Sequence, residues 1–163
     1  MLAIAADLVG QCEKENRCLV AWSTREFLAF TEAIDIDDPL LERVGALYRD
    51  AKRTARDWKR QEFPEVVFKA SPHVGRHRLA NYLGLVDYRV PPHLGDQKAG
   101  KRLRDVRGQL ARHRDFQGLT HTAKTKWTNL LHYNFHDCNG MRVVASRAAA
   151  ELASPAGRSV RHL

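Results

Sequence analysis

Cys18-Leu19-Val20-Ala21-Trp22-Ser23-Thr24 is a continuous apolar run of strand length that ends on two residues favoured at helix N-caps. A run with apolar side chains on both alternating faces reads as a buried strand, and a buried strand feeding a helix reads as parallel. This stretch places the chain in the α/β class. Upstream, Ile4, Leu8 and Val9 fall near one helical face until Lys14-Glu15-Asn16 break the pattern. Downstream, Phe27, Leu28, Phe30 and Ile34 continue the helix that follows the strand, and Asp37-Asp38-Pro39 opens the next.

From Leu40 to about Gln61 the apolar positions Leu41, Val44, Leu47, Tyr48, Ala51, Ala55 and Trp58 recur every three or four residues, which predicts one long helix closed by Phe63-Pro64. Val66-Val67-Phe68 reads as a second short strand. Ser71-Pro72 then turns the chain into a helix carrying Leu79, Tyr82 and Leu83, with Gly84 placed to cap it. Asp87 to Gly100 reads as a loop and as the best internal boundary. Lys101 to Arg114 predicts a strongly basic helix, and Trp127 to Leu152 a further helical stripe that ends at Ser154-Pro155. Residues 1–153 are expected to form the domain and residues 154–163 a flexible tail.

The chain has 163 residues, of which 44% are apolar and 28% charged, a folded composition that excludes the disordered and collagenous classes. Twenty-seven Lys and Arg against nineteen Asp and Glu give a net charge of +8, which favours polyanionic partners, nucleic acid first. Arg53 and Arg56 on the long helix, and Arg102, Arg104 and Arg107 on the basic one, are the candidate phosphate contacts. Arg53, Arg56 and Arg60 share a face opposite the apolar stripe, so a solvated helix surface accounts for them equally well. Trp58 and Trp127 lie on apolar faces and are assigned to the core.

Three cysteines, Cys12, Cys18 and Cys138, include no C-x-x-C pair, which fits a reducing, cytoplasmic setting. The opening MLAIAADLV lacks a basic flank and meets Asp7 and Glu13, so neither a signal peptide nor a membrane span is expected. No phosphate-binding glycine loop and no Gly-x-Ser-x-Gly elbow is present, which leaves NTPase and serine-hydrolase readings unsupported. His132 and His136 at helical i and i+4 with Cys138 behind them have zinc-ligand spacing, but no second pair of ligands accompanies them.

The most informative chemistry lies in Trp127 to Val144, WTNLLHYNFHDCNGMRVV, where Tyr133 and Asp137 stand one helical turn apart. A carboxylate there can bind a hard divalent cation while the phenol orients a water molecule; a surface Asp beside a core Tyr is the plainer reading of the same spacing. Tyr133-Asn134-Phe135-His136-Asp137-Cys138 resembles the third motif of the tyrosine-subtype DEDD exonucleases of the ribonuclease-H-like superfamily, in the form found in the predicted RecB-associated ribonuclease-H-like nucleases. Leu19 to Glu26, LVAWSTRE, resembles their second acidic motif, and Arg78 to Leu85, RLANYLGL, the helix before the last motif.

The resemblance spans residues 19–152 and implies an incomplete ribonuclease-H-like α/β fold, with few strands and a predominantly helical C-terminal part. It implies 3′–5′ exonuclease chemistry on DNA or RNA, with Glu26 and Asp137 on Mg²⁺ or Mn²⁺ and Tyr133 positioning the attacking water. The family's first motif, Asp-x-Glu, does not occur in this chain; Asp35-Ile36-Asp37 is the nearest substitute and lies after the second motif. Two carboxylates are too few for a two-metal site. The expectation is therefore a C-terminal portion of the family domain with little or no hydrolysis of its own. The alternative is a non-catalytic basic module that binds nucleic acid, or a partner or N-terminal segment that completes the sheet along an apolar strand edge.

Overall fold

The strand that decides the fold class forms as β1 (Leu19–Ala21), and its partner is β2 (Tyr48–Asp50), in parallel register with Leu19 opposite Tyr48, Val20 opposite Arg49 and Ala21 opposite Asp50. The computed structural model describes residues 2–33, 38–70, 75–94 and 99–154. Seven helices complete the described elements: α1 (Leu2–Lys14), α2 (Thr24–Ala33), α3 (Asp38–Leu47), α4 (Ala51–Glu62), α5 (Leu79–Leu85), α6 (Ala99–His113) and α7 (His121–Ala153). The chain is thus helix-rich α/β with a small two-stranded parallel sheet. The described residues fall into two compact units, one from Met1–Tyr82 with Val143–Leu163 and one from Leu83–Arg142. No described helix is long and apolar enough to cross a membrane.

In the first unit α1 packs on α3, through a core of Ala5, Val9, Leu40 and Val44 flanked by Leu19, Phe27, Phe30 and Leu47. The buried face of α1 is Ala5, Val9 and Cys12, at i, i+4 and i+7, whereas Ile4 is 69% exposed and Leu8 41%. The small Ala5 lets the helices approach, so the bulkier Ile4 is not the core residue its hydrophobicity suggests. Asn16 ends α1 in the left-handed region (φ 51°), with the N–H groups of Arg17 and Asn16 donating to the carbonyls of Cys12 and Glu13, the two bonds of a Schellman motif.

The expected helix over 40–61 is two helices, because β2 interrupts it. Three residues of that stretch gain ladder partners on β1, and Asp50 then restarts the helix by accepting a hydrogen bond from the Arg53 N–H at 3.0 Å. The Lys52 N–H donates to the Trp22 carbonyl at 3.1 Å, which ties the first turn of α4 to the end of β1. Ala51, Ala55 and Trp58 form the buried face of α4. Trp58 is fully buried; its Nε1–H donates to Glu151 Oε2 at 2.6 Å, and Arg147 lies 5.8 Å over its ring, which fixes the C-terminal turns of α7 in this unit.

Val66-Val67-Phe68 is not a strand: it follows a turn closed by the Val66 N–H on the Phe63 carbonyl, and Val67 is 81% exposed. Ile34, the Asp35-Ile36-Asp37 stretch and Ser71-Pro72 lie outside the described residues, as does the tail beyond Ser154. In the second unit Val106, Leu119 and Ala123 form a core with Leu110 and Trp127 against it. α5 runs past Gly84 and ends on Asp87 (φ 51°), with the Tyr88 N–H on the Leu83 carbonyl at 3.0 Å, so the left-handed position belongs to Asp87 and not to the glycine. α6 starts two residues earlier than expected and closes on Arg114 (φ 56°).

Gly140, inside α7, is required by a close approach: a Cβ there would lie 2.7 Å from Leu83 Cδ2 and 3.3 Å from the Tyr88 ring. Gly108, exposed inside α6, faces nothing within 4 Å. Gly108→Ala should therefore raise the unfolding free energy by about 1 kcal/mol, the ordinary helix gain. Gly140→Ala should lose that gain and lower stability by about 1 kcal/mol through the forced shift of Leu83 and Tyr88. Denaturant midpoints of the two variants, read against the parent, check the pair of signs.

Candidate functional site

Two parallel strands put their carboxyl ends on the same side of the sheet, and the helices that follow them begin there. In the first unit this crevice is a cavity of about 530 Å³ lined by Ser23, Thr24 and Arg25 after β1 and by Asp50, Lys52, Arg53, Arg56, Asp57 and Arg60 from the end of β2 along α4. Helical spacing explains the cation row: Lys52, Arg56 and Arg60 are four apart and Arg53 is three before Arg56, all off the buried Ala51-Ala55-Trp58 face. Asp57 pairs with Arg60 at 3.1 Å, and Asp50 is occupied with the Arg53 N–H. Among the described residues the side chains of Arg25, Lys52, Arg53 and Arg56 have no carboxylate partner.

Two first-turn N–H groups of α4 are already spent on Trp22 and Asp50. The cavity therefore attracts anions through side-chain cations, with the amides of α4 largely committed to the fold. What it can hold is a phosphate, met by guanidinium forks in charge-assisted hydrogen bonds.

Beside the crevice stands an aromatic cluster. Trp22 packs edge-on against Tyr82 with centroids 5.2 Å apart, Phe68 against Tyr82 at 4.9 Å, and the Trp22 Nε1–H donates to the His77 carbonyl at 3.1 Å. The Tyr82 hydroxyl lies 2.6 Å from His77 Nδ1. Burial pushes the Tyr82 phenol up to about 12, so it keeps its proton. Burial and then the charges of Arg56, Lys52, Lys59 and Arg76 hold His77 below its usual range, and the ring stays neutral.

Glu26 sits in the first turn of α2, where its Oε2 accepts from the Ser23 N–H at 2.8 Å and from the Ser23 hydroxyl. Ser23-Thr24-Arg25-Glu26 has the capping-box sequence and forms its Glu half, the Glu26 carboxylate covering the Ser23 N–H while the Glu26 N–H donates to the Ser23 carbonyl, and that local role accounts for a Glu three residues after Ser at this helix start. Tyr133 and Asp137 stand one turn apart on α7, both half-buried, in the second unit, whereas Glu26 belongs to the first. Among the described residues no three His, Cys, Asp or Glu side chains are grouped closely enough to hold a metal ion. The donors among the described residues do not make up a site for Mg²⁺ or Mn²⁺.

His136 is engaged otherwise: the Asn139 side-chain amide donates to the Tyr88 hydroxyl at 3.1 Å, and that hydroxyl lies 3.0 Å from His136 Nδ1. Cys12, Cys18 and Cys138 are all free thiols. Of the basic candidates on α6, Arg104 and Arg107 are exposed, but Arg102 is half-buried and donates to the carbonyls of His93 and Leu94, which fastens the preceding loop. Arg25 was not singled out by the sequence, although its place in the first turn after an apolar strand is the signal that finds it. An apolar groove of about 220 Å³ runs along β1, lined by Leu8, Leu19, Val20, Phe27, Phe30 and Val44 among others.

The depressed His77 gives a pH signature of the fold. The unfolded imidazole titrates near about 6.5 and binds protons that the folded one refuses. The stability this contributes is fully present above that value and is lost as pH falls toward the lower folded value. Thermal midpoints should drop between neutral pH and mildly acidic pH, before the carboxylates Glu13, Asp105 and Glu151, which are held below their usual range, begin to titrate. In His77→Gln this drop should be smaller; an unchanged drop would assign it to another group.

Comparison with protein-family models, with curated proteins and with solved structures finds no match to this chain.

Proposed function

We propose that the chain binds nucleic acid, DNA or RNA, and that the crevice at the carboxyl ends of β1 and β2 is where the phosphate backbone is held. The observation that carries this reading is the convergence of Arg25, Lys52, Arg53, Arg56 and Arg60 on one cavity. Isolated surface cations are common in a basic protein and are used for salt bridges or solvation. Cations gathered from two helices into one concavity repel one another, and a bound polyanion relieves that repulsion. Arg104 and Arg107, exposed on α6, are further phosphate contacts in this reading.

The test is binding of a labelled oligonucleotide, followed by anisotropy as salt is raised. Replacing Arg53 and Arg56 together by Gln should weaken binding by about tenfold or more and flatten the dependence of log K on log salt. Both residues are exposed, so the variant should keep the parent's circular dichroism. Unchanged affinity would remove the cavity from the interface.

A second reading is phosphodiester hydrolysis of the ribonuclease-H-like kind, in which Tyr133 and Asp137, one turn apart on α7, would be joined by carboxylates from a partner segment that complete the Mg²⁺ or Mn²⁺ ligands the described residues do not group together. The apolar groove along β1 is, in that reading, the seat of a partner strand that completes the sheet. Cleavage that requires Mn²⁺, stops with chelator and is abolished in Asp137→Asn would support it. Cleavage retained in that variant would exclude Asp137 from the chemistry.

A further inference from the structure

The charge of the crevice selects among phosphates. The concavity, about 530 Å³, is open to solvent on one side, so a strand end can enter it. Its five cationic side chains face two carboxylates, Asp50 and Asp57, which leaves a net charge of +3 inside that volume. One internal nucleotide of a strand brings a single negative charge and two free phosphate oxygens. A terminal phosphate carries about −1.5 to −2 at neutral pH and offers three strong acceptor oxygens.

We infer that the crevice holds the terminal phosphate of a nucleic-acid strand in preference to an internal phosphodiester. This rests on the reading of the cavity as the nucleic-acid contact. Charge complementarity is the first argument, since the monoester neutralises most of the excess that a diester leaves standing. Geometry is the second. Arg53, Arg56 and Lys52 lie within a little more than one turn of α4, about 6 Å along its axis, and Arg25 reaches the same cavity from α2. Cations on two walls of a concavity match an anion with oxygens on several sides better than they match a strand passing along a surface. Arg60, already paired with Asp57, lies further along and would serve the next phosphate of the same strand.

The experiment uses the full chain and a short, internally labelled single strand made with a 5′-hydroxyl, a 5′-phosphate or a 3′-phosphate. Affinities are measured for the parent, for Arg56→Gln in the cavity and for Arg104→Gln on α6. A strand with a phosphate at either end should bind about tenfold more tightly than the hydroxyl-ended strand. That advantage should vanish in Arg56→Gln and persist in Arg104→Gln. Equal affinity for all three strands, weakened throughout by Arg56→Gln, would overturn the end preference and leave the nucleic-acid reading standing. An advantage that survives Arg56→Gln would place the phosphate elsewhere and overturn it too. Tighter binding of a free nucleoside diphosphate than of the phosphorylated strand would assign the crevice to a nucleotide instead of a strand end. Binding of none of these ligands would overturn both readings.

Discussion

The parallel pairing of Leu19–Ala21 with Tyr48–Asp50 is the constraint on which the first unit depends. A pair of three-residue strands is too short to persist by its own ladder. It is held from outside by the Lys52 N–H on the Trp22 carbonyl, by the Phe27 and Tyr48 rings packed 4.7 Å apart, and by the Ala5-Val9-Leu40-Val44 core with Leu19 against it. Parallel strands need a crossover, and α2 and α3 supply it. Because both strands run the same way, Ser23–Arg25 and Asp50–Arg60 must meet at one end of the sheet. The cation cavity is a consequence of that topology.

How far the sequence discloses this can be followed residue by residue. β1 is legible because an unbroken apolar run ending on Ser-Thr has few other readings. β2 is not, because Leu47, Tyr48 and Ala51 keep a helical spacing through it, and only tertiary pairing with β1 takes those three residues out of the helix. The local trace that remains is Asp50, whose carboxylate caps α4 and so marks a helix start in mid-pattern. Val66-Val67-Phe68 errs the other way, with strand propensity but no strand to pair with; Phe68 instead packs on Tyr82 and His77.

The candidate site divides along the same line. Arg53 and Arg56 were legible as a basic helical face, but their convergence with Arg25 was not, since Arg25 reaches the cavity across the sheet end. Glu26 looked like a ligand because an acidic residue soon after a strand is what a metal site and a capping box have in common. Its hydrogen bonds to Ser23 show the second use. Tyr133 and Asp137 keep the one-turn relation that the spacing dictates, since α7 continues unbroken for 33 residues. A one-turn pair is a property of any helix, however, and the chemistry would come only from further carboxylates.

Net charge is a weak guide to function until the cations are sorted by what they already do. Arg43 makes two hydrogen bonds to Glu13, Arg49 donates to the carbonyls of Ala46 and Tyr48, Arg102 to those of His93 and Leu94, Lys126 pairs with Asp105 and Arg147 with Glu151. Those cations close helix ends and loops, and their charge is spent inside the fold. Arg25, Lys52, Arg53 and Arg56, like Arg104 and Arg107 on α6, have no ion pair among the described residues, but these four are crowded by the topology around one cavity that Asp50 and Asp57 also line. Like charges brought to one cavity cost free energy unless a counter-charge is supplied. Half-buried His77 is held below its usual range first by burial and then by Arg56 and Lys52, which also line the crevice, and by Lys59 and Arg76. The topology that sets β1 beside β2 therefore also brings these cations to one end of the only described sheet, and their mutual repulsion is built into the fold.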